Sequence, residues 1–184
     1  MPDAEQIKKD FISRAMKRAE LGRYPILEPT ARDNGRDLEW WLRALDAKAF
    51  LFSLNGSAAW LFPQYELKLL PLGKRVTVEC GGEVLVDSEH CFEFRETAHS
   101  SQIYIPRSEI ESRYLFRTET LTFCPFKGVA GYYGVRVEGQ EVADAFWTYD
   151  DLYDKFPDNG NASDVLRLEG MLGADRRKVN VAVD

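Results

Sequence analysis

The sequence predicts a mainly β domain of antiparallel sheets, a small sandwich or barrel, carrying an N-terminal helical extension. The chain as a whole is then α+β. Three observations predict this. Apolar residues recur at helical spacing in the first third of the chain. From Lys74 onward the apolar period changes to two. The two-period segments are short and separated by turns bearing Gly or Pro, the pattern of packed antiparallel sheets.

The helical part comes first. Asp3 stands at a capping position with Gln6 three residues on. Ile7, Phe11, Ala15 and Ala19 recur every four residues, and Gly22 stops the run. After a Pro- and Gly-bearing stretch from Tyr24 to Gly35, Asp37 opens a second helix. Its Leu38, Trp41, Leu42 and Leu45 form one apolar stripe. Phe50, Phe52 and Leu54 alternate as in a short strand, but 49–65 and the apolar run Leu67 to Leu72 read together as a connector. The division that follows is residues 1–69 as helical extension and connector, packed on a β-domain of residues 70–184.

In the β-domain, Val76, Val78 and Cys80 alternate with polar neighbours. Gly81-Gly82 makes a two-residue hairpin turn, and Val84 and Val86 resume the alternation. Cys91 to Arg95, Gln102 to Ile105, Tyr114 to Arg117 and Leu121 to Phe123 are further strands by the same criterion. Tyr132 to Glu138, a turn at Gly139-Gln140, and Glu141 to Tyr149 form a second hairpin. Asp150 to Ser163 is polar, with Pro157 and Asn159-Gly160, and predicts a short helix and a loop, with Ser163 or Asp164 capping one more turn. Val179, Val181 and Val183 close the chain as a strand.

Composition narrows the partners. The chain has 184 residues and a net charge of -6, which removes any diffuse attraction to nucleic acid or anionic lipid. No run of eighteen apolar residues occurs, and the polar N-terminus lacks the apolar stretch of a signal peptide, so no membrane span is expected. Three cysteines, Cys80, Cys91 and Cys124, are an odd number with no C-x-x-C. Reduced thiols and a cytoplasmic location are therefore expected. His90, Cys91 and His99 lack the paired spacing of a zinc site, so no metal is expected. Asp-x-Asp, Gly-x-x-x-x-Gly-Lys, G-x-S-x-G and dinucleotide-binding fingerprints are all absent.

Four ordered segments carry a resemblance. Cys124-Pro125-Phe126-Lys127-Gly128, followed by Tyr132-Tyr133 and Val135-Arg136-Val137, is the most specific. Gly82 to Ser88, Tyr104-Ile105-Pro106-Arg107 and Trp147-Thr148-Tyr149 accompany it. Over roughly Leu70 to Asp184 the chain resembles the domain-of-unknown-function 427 family. The resemblance implies a β-tent fold, a small twisted arrangement of antiparallel sheets. A nucleotidyltransferase label sometimes attached to that family finds no metal-holding carboxylate pair here. The chain departs from the family pattern at Tyr133, at Asp150 where a proline is usual, and at Gly173-Ala174-Asp175, where an aromatic pair is usual.

The candidate site residues gather near the most specific motif. Cys124, three residues from the Lys127 ammonium, is either an activated nucleophile or a buried structural thiol at a turn. Lys127 either faces a pocket or serves the bend. Tyr132, Tyr133, Trp147 and Tyr149 combine apolar bodies with donor tips, which suits a pocket for a small organic ligand and also suits ordinary packing. Strand alternation puts Tyr132 and Tyr133 on opposite faces and Trp147 and Tyr149 on one face. Arg107 and Arg113, with Arg117 beyond them, could clamp a carboxylate or phosphate, or pair with Glu109, Glu111 or Glu119 at the surface. Glu93, Asp144 and Glu169 are further acid–base groups if burial perturbs them.

The functional expectation is a small-molecule-binding β-domain, working without cofactor or metal as an acid–base enzyme of isomerase, cyclase, dehydratase or hydrolase type. Lys127, Tyr149 and Cys124 are its catalytic candidates. Arg107, Arg113, Tyr132, Tyr133 and Trp147 are its ligand-binding candidates. The alternative is a non-catalytic interaction or homodimerisation module, docking through Trp40, Trp41 and Trp60 of the extension.

Overall fold

The computed structural model describes residues 66–97, 99–124, 126–153 and 161–184, together with Gln6 and Asp10. Gln6 and Asp10 are helical, and Gln6 Nε2 donates to Asp10 Oδ1 at 2.8 Å. The rest of the predicted extension, including Trp40, Trp41 and Trp60, lies outside the described residues.

Among the described residues ten strands follow in chain order: β1 (Leu67–Pro71), β2 (Val76–Cys80), β3 (Glu83–Ser88), β4 (Phe92–Glu96), β5 (Gln102–Pro106), β6 (Leu115–Cys124), β7 (Gly128–Val137), β8 (Gln140–Leu152), β9 (Met171–Ala174) and β10 (Asn180–Val183). Among the described residues a helix, α1 (Asn161–Leu166), lies between β8 and β9. A seven-stranded sheet runs β1-β4-β5-β9-β8-β7-β6, and a three-stranded sheet runs β10-β2-β3. All pairings are antiparallel. The fold is mainly β, as the alternation predicts.

Both faces of the large sheet are covered, so its strands carry apolar residues on both sides. On one face Ile105, Val135, Phe146 and Leu172 pack against Val76, Val78 and Val86 of the small sheet. On the other, Leu67, Leu69, Phe94, Tyr104 and Tyr149 form a second cluster, closed by Val165 of α1 and by Leu168. Tyr104 and Ile105 of β5 divide between the two clusters as strand alternation requires. Tyr132 joins the helix-side cluster and Tyr133 the opposite one; Trp147 and Tyr149 share the helix side.

Four local expectations need correction. Leu67 to Pro71 is an edge strand paired with β4, not a connector; Pro71 ends it, where a missing N–H costs least. Tyr114 to Phe123 is not two strands: β6 is continuous from Leu115 and crosses a register shift between Arg117 and Leu121. The second hairpin turns at Glu138-Gly139, one residue earlier than predicted. Both residues hold positive φ, 48° and 80°, the two-residue geometry that Gly81-Gly82 also adopts. Val84 is 48% exposed although Leu85 and Val86 are buried, because Val78 and Glu79 of β2 face Val86 and Val84, leaving Leu85 as an extra residue that breaks the alternation of β3. The strand β9, inserted between β5 and β8, is a feature the alternation does not reveal.

Candidate functional site

The helix-side cluster holds the chemistry. On β4, Phe92 and Phe94 project into it at alternate positions, and Glu96 is the next residue on that face by the same period. Its side chain is 10% exposed. Opposite, the turn between β6 and β7 carries Phe126 and Lys127. Gly128 starts β7 at φ 124°, and a Cβ there would lie 2.1 Å from the Asp151 carbonyl oxygen. Glycine is therefore required for this close crossing. The Lys127 carbonyl accepts from the Tyr153 N–H at 3.0 Å, which fixes the backbone of the bend.

Held this way, Lys127 turns its side chain inward, 6% exposed, and forms an ion pair with Glu96. Its Nζ lies 5.2 Å from the Phe94 ring centroid and 5.5 Å from that of Tyr149, within cation–π range of both. Beside it Trp147 Nε1 donates to the Tyr104 hydroxyl at 2.9 Å, with the two rings edge-to-face. Gly173 of β9 makes room for that indole, since a Cβ there would stand 2.2 Å from it. Cys124 is part-buried at the end of β6, beside the backbone N–H groups of Phe126 and Lys127.

Burial dominates the acidities here. It pushes the Tyr104 phenol up to about 12 and Tyr149 well above the usual tyrosine range, with Lys127 pulling both back only in part. Burial also works against the Lys127 ammonium. The lysine is nevertheless held well above its ordinary value: Cys124 and the two tyrosines favour the ammonium only once they ionise, and at neutral pH the Glu96 carboxylate is the charge that offsets burial. Cys124 is raised by burial by more than Lys127 and the two backbone donors lower it. At neutral pH the cluster is thus an ammonium, a carboxylate, two neutral phenols and a neutral thiol. Of the two readings that the Cys–Lys spacing leaves open, this arrangement favours the buried thiol over the activated thiolate. Desolvation, which spacing does not report, is the reason.

Lys127, Tyr149, Cys124 and Trp147 of the predicted set come together. Tyr132 belongs to the same face, its hydroxyl 3.0 Å from Thr122 Oγ1. The arginines do not join them. Arg107 reaches Tyr133 on the opposite face, and Arg113 lies on the surface against Glu111 and Tyr114. Among the acid–base candidates, Arg95 holds Glu93 below the usual carboxylate range. Asp144, at φ 54°, accepts from Thr118 Oγ1 at 2.5 Å and Thr120 Oγ1 at 2.9 Å. Glu96, Tyr104 and Phe94 were absent from the predicted site. The signal for Glu96 was present: it extends the inward period Phe92, Phe94 by one step.

The chain matches, over residues 68–165, the family described as Domain of unknown function (DUF427). It belongs to that family. No curated protein matches the chain. The DUF427 match takes in Glu96, Tyr104, Cys124, Lys127, Trp147 and Tyr149, but not Leu67 or Leu168 of the same cluster. It stops before β9 and β10, which complete both DUF427 sheets here. Among the described residues no three of His, Cys, Asp and Glu converge as metal ligands would, and no helix is long and apolar enough to cross a membrane.

Proposed function

We propose that this domain binds a small organic molecule at the Lys127–Glu96 pair and acts on it by acid–base chemistry, without a cofactor. The observation that carries the proposal is a buried ion pair ringed by two phenols and a thiol. Such a pair adds little net stability compared with apolar packing, because desolvation offsets the attraction between its members. Buried, mutually perturbed titratable groups gather instead where protons or charge must be handled.

The roles follow from the charge states. Lys127 remains an ammonium and is a poor base or amine nucleophile. It stabilises negative charge developing on a carbonyl or carboxylate oxygen. Glu96 is the proton acceptor, and the neutral phenols of Tyr149 and Tyr104 are proton donors. Trp147 and Phe94 supply apolar walls. Isomerisation, cyclisation, dehydration and hydrolysis all need only this set. Cys124 is a packing thiol in this scheme.

A thermal-shift screen against small carbonyl compounds and organic acids tests the proposal. At least one compound is expected to raise the Tm of the wild type and leave Lys127→Arg unmoved, since the guanidinium cannot take the place of a compact ammonium. Equal shifts in the two proteins, or none in either, overturn it.

A further inference from the structure

We propose a second, separate site on the opposite face of the large sheet: a small-oxyanion cradle formed by Arg107, Tyr133 and Arg117. One tyrosine organises both guanidiniums. Arg107 Nη1 donates to the Tyr133 hydroxyl at 3.0 Å, and the Arg117 guanidinium lies 5.0 Å above the Tyr133 ring. Arg117 is further steadied by Asp150, Nη1 to Oδ2 at 2.7 Å. Gly131 of β7 gives it a slot, since a Cβ there would stand 1.9 Å from Arg117 Nη2. These contacts remove much of the rotamer freedom that makes exposed arginines weak binders.

The donor inventory is what selects an oxyanion. Tyr133 accepts from Arg107, so its own O–H proton is left to donate. Arg107 has further N–H groups beyond the one given to Tyr133, and among the described residues no carboxylate pairs with it. Arg117 gives one nitrogen to Asp150 and keeps the edge over Gly131. Asp150 cancels the Arg117 charge, so the cradle carries about one net positive charge and binds chiefly through Arg107. The chain's net charge of -6 gives no long-range help. A planar fork of donors meets phosphate and carboxylate oxygens equally well. The ligand class is therefore a small molecule bearing either group.

The test is an NMR titration of the full chain that follows arginine Nε–H signals, with inorganic phosphate in one arm and succinate in the other. Saturable shifts confined to Arg107 and Arg117 are expected in at least one arm, and the arm that saturates first names the group. Arg107→Gln should weaken binding about tenfold, the effect of losing one charge-assisted fork. Tyr133→Phe should weaken it less, and Arg113→Gln, which removes a cation outside the cradle, should leave it unchanged. Shifts that never saturate, or that survive Arg107→Gln undiminished, overturn the proposal. So does an equal loss with Arg113→Gln, which would mark screening rather than binding. Lys127→Arg, the variant that tests the helix-side site, should leave these titrations intact, so the two proposals fail separately.

Discussion

At the scale of single residues, the decisive fact is that Lys127 keeps its charge in a place that disfavours charge. Removing one partner leaves the other buried and unpaired. Lys127→Met or Glu96→Gln alone should cost about 3–5 kcal/mol in urea denaturation, whereas Lys127→Met with Glu96→Leu should recover part of the loss. Costs that simply add would show that the two side chains do not share an interaction. Cys124 yields a second prediction. With its thiol raised by burial, alkylation by iodoacetamide near neutral pH should run about tenfold slower than for an exposed cysteine. The comparison uses a Cys80→Ala, Cys91→Ala background. Asp175 yields a third, in pH. Its carboxyl is lowered from 3.8 to about 2, chiefly by its hydrogen bond with Arg177. A depressed folded value means that the stabilisation is complete above pH 3.8 and is lost as pH falls toward 2. Arg177 is exposed, so screening holds the effect to about 1 kcal/mol. Asp175→Asn should then be less stable than wild type at pH 6 and match it near pH 2.

At the scale of elements, what the sequence revealed depended on whether the cause was local. The Gly81-Gly82 turn, the alternation of β2 and the Val181 and Val183 pattern of β10 are consequences of side-chain period and turn geometry. They were legible for that reason. β9, with the sequence Met171-Leu172-Gly173-Ala174, has neither period nor length. It is a strand because β5 and β8 leave a gap for it, and its Gly173 is there to admit the Trp147 ring. Gly173→Ala should displace that indole, break its bond to Tyr104 and cost about 1–3 kcal/mol, readable as a drop in Tm with loss of near-UV tryptophan ellipticity. Gly131→Ala meets only the guanidinium end of the exposed Arg117 side chain rather than a packed ring and should cost less. The site was half legible in the same way. Lys127, Cys124, Trp147 and Tyr149 were found from motif and residue chemistry. Alternation separates Tyr132 from Tyr133, but which of them faces Trp147, and on which side Arg107 lies, was not legible, because proximity along the chain says nothing about which face a neighbouring strand presents.

At the scale of the whole molecule, the DUF427 match ends at residue 165 while the sheets do not. β9 bridges β5 to β8, and β10 is one of only three strands in the small sheet. A chain ended at residue 165 should therefore lose the link between the two halves of the large sheet and fail to melt cooperatively. A single sharp unfolding transition would show instead that the matched segment folds by itself. The same topology gives the molecule two chemically distinct faces: the ammonium–carboxylate pair under α1 and the arginine–tyrosine group on the side of the small sheet. Whether the protein acts on a small molecule by acid–base chemistry rests on the first of these.

The most direct measurement is the ammonium nitrogen signal of Lys127, recorded by NMR on protein labelled at lysine with nitrogen-15 while carbonyl compounds and organic acids are added. One slowly exchanging ammonium signal should appear, vanish in Lys127→Arg, persist at pH 10.5, the ordinary lysine value, and move with the compound that stabilises the fold. A Lys127 nitrogen that exchanges like those of surface lysines, or one that no stabilising compound disturbs, would contradict the account.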